Sequence, residues 1–171
     1  MASARKSVLN TGCSAGGIGA ALADVFHKKG FNVFATARTP SKISKSLAEA
    51  PNVTVLTLDV LSSESIAAAV KSVSAETGGK LDVLVNNSGS AIIFPALDTP
   101  IEAGKDLFNL NFWAVLATIQ AFAPLLIKAK GTIVNNASVS GVMPFVYQSE
   151  YLFDALLPTV FLLFSYYVIK H

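Results

Sequence analysis

The short apolar run Ser7-Val8-Leu9-Asn10 passes directly into Thr11-Gly12-Cys13-Ser14-Ala15-Gly16-Gly17-Ile18-Gly19, and an amphipathic helical pattern begins at once. A junction so rich in glycine can turn tightly and bring its main chain against a ligand with no Cβ in the way. The first amides of a helix lack carbonyl partners within it and sit at the positive end of its dipole. They therefore hold anions, above all a pyrophosphate. Because the strand before the loop and the helix after it are both present, the arrangement predicts a nucleotide-binding unit with Gly12, Gly17, Ile18 and Gly19 at the cofactor.

Apolar runs then alternate with helical patterns, which predicts an α/β chain with a doubly wound parallel sheet. Strands are expected over 7–10, 31–37, 53–58, 81–86 and 132–136. Ile18, Leu22, Val25 and Phe26 mark one face of the first helix, which closes with Lys28, Lys29 and a glycine stop at Gly30. Further helices are expected over 41–49 and 62–76. The segment 101–130 is almost uncharged after Asp106, so it reads as a long helix packed on two sides and bent at Pro124, with a face suited to a dimer.

The 171 residues make one substantial domain, and only 14% are charged against 52% hydrophobic. Soluble domains usually carry about 25% charge, so part of the chain is expected to be buried on all sides or to lie in lipid. A scattered net charge of +2 excludes a nucleic-acid surface. One cysteine allows no internal disulfide, residues 1–6 lack the apolar core of a signal peptide, and no metal site is expected. Residues 1–148 form the expected domain and 149–171 an apolar tail. From residue 152 to 169 its only charge is Asp154, which is borderline for a membrane span. The tail reads either as a membrane anchor or as translated intron.

The second expected strand ends at Arg38, and no carboxylate follows Gly30 until Glu49. An NAD site places an acid at that strand end for the ribose hydroxyls, whereas NADP needs a cation. NADP is therefore the expected cofactor, with Arg38 as its clamp and Ser14 as a hydroxyl donor. Asp59 closes the third strand, where it can cap the helix that follows.

Taken together, the glycine loop, Asn86-Asn87-Ser88-Gly89, Asn111 and Ser138 resemble a short-chain dehydrogenase/reductase from residue 7 to about 148, and the resemblance implies a Rossmann fold, here truncated after the fifth strand. The usual loop is T-G-x-x-x-G-I-G. The longer form here is similar to that of fungal NADPH-dependent 1-acyldihydroxyacetone phosphate reductases. The resemblance implies reduction of a lipid-like ketone, dimerisation through the long fourth helix, and a place at the endoplasmic reticulum or lipid droplets. It gives Asp59 the adenine amino group as partner and makes Asn87 a support of the cofactor site. Tyr151 stands thirteen residues after Ser138. By resemblance the tyrosine protonates the carbonyl oxygen, Ser138 orients it, and Asn111 holds a relay water. Relatives place a lysine four residues beyond the tyrosine, where this chain has Ala155. An unassisted phenol, ionising near about pH 10, is a poor acid-base group at neutral pH.

Overall fold

All five expected strands occur within residues 5–141, the part of the chain that the computed structural model describes. They are β1 (Ser7–Asn10), β2 (Asn32–Ala37), β3 (Val53–Thr57), β4 (Val83–Asn86) and β5 (Thr132–Asn135). Every pairing is parallel, and the order across the sheet is β3-β2-β1-β4-β5. From β1 the chain winds outward through β2 and β3, then returns to the other side of β1 as β4. That reversal opens a crevice at the carboxyl ends of β1 and β4, where ligands bind in sheets of this kind.

Alternation along the strands fills two cores. Leu9, Phe34 and Leu84 pack with Ile66, Ala69 and Val73 of α3 (Ser63–Thr77) and with Phe122, Leu125 and Leu126 of α5 (Ala114–Ala129). Val8, Val33, Ala35 and Val85 point the other way, towards Ala23 of α1 (Ile18–Lys28) and Leu47 of α2 (Lys45–Ala48). Helices on both faces make the sheet doubly wound, and both faces of its central strands are buried.

Three expectations need correction. In α1 Leu22 and Phe26 pack against the core as expected, but the fully buried residues are Gly19 and Ala23, while Ile18 is 63% and Val25 47% exposed. The small residues allow the helix to approach the sheet closely, which turns Ile18 away from the core. The expected helix over 41–49 is broken into a tight turn at Pro40–Lys42 and the single helical turn of α2. Ile43 is extended between them because its side chain drops into the core, and Ser44 starts the second piece by accepting the Leu47 amide.

The long helix is not packed on two sides within the described chain. It begins as α4 (Ile101–Phe108), widens to a π-helical turn at Asn109–Trp113, and continues as α5. Asn109, Trp113, Ala117, Gln120, Pro124 and Ile127 form an exposed stripe along it. Pro124 lies inside α5, which continues through it, and the π turn at Asn109–Trp113 adds an irregularity that was not expected. The helix spanning 101–129 is long and apolar enough to cross a membrane by length and composition, with a mean hydropathy of 1.7 in its most apolar window, of which 28% is buried.

Candidate nucleotide-binding and active site

Where β1 and β4 end, a groove of about 450 Å³ is lined by Gly12, Gly17, Ile18, Asn87, Asn111 and Ser138. Main-chain hydrogen bonds fix alternate residues of the loop on its wall. The Thr11 amide donates to the Val85 carbonyl at 3.0 Å, Cys13 to Thr36 at 2.8 Å, and Ala15 to Lys42 at 2.8 Å. The Ser14 and Gly16 amides take no part in this fastening, and neither do those that open α1. Gly17 offers no side-chain cap and the first turn of α1 holds no acid, so its positive end is left for an anion. The exposed Ile18 side chain belongs to this groove, which explains its departure from the core face.

Glycine is required here by contact. A Cβ on Gly19 would lie 2.5 Å from Asn87 Nδ2 and 2.5 Å from the Gly12 carbonyl oxygen. Gly12 has φ +73°, and a Cβ there would meet Asn87 Nδ2 at 3.0 Å. The cradle that these absent side chains leave, edged by unused amides, fits the pyrophosphate of a nicotinamide dinucleotide.

A clasp centred on Thr11 holds the loop to β4. Its hydroxyl, buried with its residue, accepts the amides of Asn87 at 2.8 Å and Ser88 at 2.9 Å and donates to the Val85 carbonyl at 3.3 Å. Asn87 Nδ2 returns two bonds, to the carbonyls of Thr11 (2.9 Å) and Gly12 (3.2 Å). Asparagine rungs extend the clasp to β5, with Asn136 donating to Asn87 Oδ1 at 2.9 Å and Asn86 to Asn135 Oδ1 at 2.8 Å. Asn87 is thus a support of the site. The parts played by Thr11 and Asn136 were not visible in sequence, although Thr11 belongs to the T-G pair that marks the loop.

Arg38 follows the buried Ala37 and is exposed at the end of β2, and Ser14 is exposed in the loop. Asp59 does not cap α3, because Ser62 does so by accepting the Ser65 amide. Asp59 Oδ1 instead accepts the Leu61 amide at 3.0 Å in a local turn, while the Asp59 amide donates to Ser65 Oγ at 2.9 Å.

Asn111 and Ser138 both line the groove. Asn111 lies in the π turn, a feature common at functional sites. It clasps Ser90, accepting the Ser90 amide at 2.9 Å through Oδ1 and donating to its carbonyl at 2.8 Å through Nδ2. Ser138 follows β5 and is half-buried; its Oγ accepts the Ser140 amide at 3.2 Å, which leaves the O–H to donate. Ser140 is only 3% exposed, so Ser138 is the serine that the groove presents. Tyr151 lies outside the described residues. Within the loop, burial pushes the Cys13 thiol up to about 11, opposed by its hydrogen bond with the Thr36 backbone. It is a packed neutral group, donating to the Asn10 carbonyl at 3.3 Å.

A larger hollow of about 850 Å³ beside α4 and α5 is lined mostly by apolar groups, including Leu61, Leu107, Leu110 and Trp113. It lacks the glycine loop and Ser138, so the smaller groove is the candidate chemical site.

Comparison with known proteins agrees with this geometry. The family model described as short chain dehydrogenase matches residues 6–152. The chain belongs to the short-chain dehydrogenase family. The family match takes in Tyr151 and extends slightly beyond the boundary near residue 148 read from sequence. A short-chain dehydrogenase of Talaromyces islandicus is 49% identical over 85% of this chain and 51% of its own length. The NADPH-dependent 1-acyldihydroxyacetone phosphate reductase of Schizosaccharomyces pombe is 42% identical over 86% of this chain and 49% of its own. A solved short-chain dehydrogenase from Streptomyces avermitilis superposes with a TM-score of 0.82 at 28% identity, covering 91% of this chain and 57% of that one. The chain spans about half the length of the curated relatives it matches.

Proposed function

We propose that this chain binds NADPH and serves the reduction of a carbonyl on a lipid-like substrate such as 1-acyldihydroxyacetone phosphate. The observation that carries the reading is one groove that joins a glycine cradle, with its uncapped helix start, to Ser138, while a cation ends the second strand. Arg38 is the clamp for the additional phosphate, Ser14 adds a hydroxyl, and Asp59 is the partner of the adenine amino group. Support for a lipid-like substrate comes from the loop after β4, where Ile93, Phe94 and Leu97 are 65%, 52% and 100% exposed near Ser90.

Bound NADPH supplies the hydride that reaches the carbonyl carbon. The chain's own residues manage the oxygen. Ser138 orients it by donating its O–H, and Tyr151 gives it the proton. Asn111 fixes the Ser90 wall of the groove and holds a relay water. The exposed stripe through Trp113 and Ile127 is the face through which two copies pair, and an apolar 149–171 suits association with endoplasmic reticulum or lipid-droplet surfaces.

Ala155, at the place of the family's lysine, favours a second reading, a non-catalytic NADPH binder. The assay is NADPH oxidation by the full chain over a panel of acyl ketones. Turnover that Tyr151→Phe abolishes supports the reductase reading. Saturable NADPH binding with no turnover on any ketone supports the second.

A further inference from the structure

We infer that Lys42 is a second cation for the phosphate on the adenosine ribose, acting beside Arg38; this rests on the NADPH reading above. The main chain brings it there. The Lys42 carbonyl accepts the Ala15 amide at 2.8 Å, in the middle of the glycine loop and one residue from Ser14. Its own amide donates to the Thr39 carbonyl at 3.0 Å, and the Ile43 amide to that of Pro40 at 2.9 Å, closing the turn. Ile43 and Leu47, 6% and 4% exposed, anchor the chain beyond the turn in the core. Lys42 is thus held firmly by its backbone while its side chain is exposed.

Charge gives this position its meaning. Arg38 and Lys42 sit at the two ends of one short link, and residues 30–48 contain no carboxylate. Among the described residues the ion pairs are Lys28–Asp24 and Lys105–Glu102, so neither Arg38 nor Lys42 has an acidic partner. Two cations four residues apart in the chain, with no described carboxylate paired to either, raise the local potential, and a phosphate monoester carrying close to two negative charges is the group that lowers it. A ribose bearing only hydroxyls gains little there, so the pair discriminates between the two nicotinamide cofactors. Arginine offers a planar fork to the phosphate and lysine a mobile point charge, which makes the two complementary.

The fastening uses only the backbone of Lys42, so removing its side chain leaves the loop in place and tests the charge alone. Calorimetric titration of the full chain with NADPH, NADH, 2′,5′-ADP and 5′-AMP compares wild type, Lys42→Ala, Lys42→Arg and Arg38→Ala. Lys42→Ala weakens NADPH and 2′,5′-ADP by about five- to tenfold, leaves NADH and 5′-AMP unchanged, and Lys42→Arg recovers most of the loss. If Lys42→Ala binds NADPH as wild type does while Arg38→Ala loses the preference, the role of Lys42 is overturned and the NADPH reading stands. Equal weakening of all four ligands also overturns it, by showing structural damage. A wild type that does not distinguish 2′,5′-ADP from 5′-AMP overturns both.

Discussion

Asn10 lies in the most deeply buried strand, 0% exposed, and neither polar atom of its side-chain amide has a partner among the described residues. A buried amide without hydrogen bonds costs about 1–3 kcal/mol, so Asn10→Val is expected to raise stability by about 1 kcal/mol in urea denaturation; a loss of stability would contradict this. Its neighbour Cys13 gives a pH signature. Burial raises the thiol from 9.0 to about 11, so its contribution is complete below pH 9.0 and is lost as pH rises towards about 11. Wild-type stability should therefore fall relative to Cys13→Ala between those limits, and parallel curves would refute the assignment. Sequence named the residues expected at a cofactor. It did not show that Thr11, through its hydroxyl, ties the loop to Asn87 and Ser88, because partners 76 and 77 residues away follow no local pattern.

Elements were legible where periodicity and stop signals agreed. The α1 stop held, with Gly30 at φ +83° just beyond it, and α3 begins and ends within a residue of expectation. The break at α2 was hidden because Ser44 looks like any polar helix residue until it is seen to accept the Leu47 amide. The π turn has no sequence marker of its own, since Asn109–Trp113 keeps a helical pattern and only the clasp from Asn111 to Ser90 explains its use. The loop-to-helix junction yields a paired test. Gly19→Ala must move the backbone at Gly12 and is expected to cost about 1–3 kcal/mol and to destroy NADPH affinity. Gly30→Ala meets nothing within 4 Å and suffers only its positive φ, so thermal denaturation should register about 1–2 kcal/mol while NADPH affinity stays unchanged. Equal effects on affinity would refute the contact argument.

At the scale of the molecule, order and direction of the strands follow from the βαβ rhythm, and the site follows from where the strand order reverses. What sequence left open is how much surface this arrangement exposes: Trp113 and Ile127 are 56% and 64% exposed on the long helix, and β5 is an edge strand among the described residues, with Val134 38% exposed. The central claim is that the reversal point grips NADPH through helix-start amides and the cation at the end of β2. Equilibrium titration of the folded 171-residue chain with NADPH and NADH tests it most directly. Saturable NADPH binding at least about tenfold tighter than NADH, and abolished by Gly19→Ala, is the predicted result. Folded protein with no saturable affinity for NADPH would contradict the account.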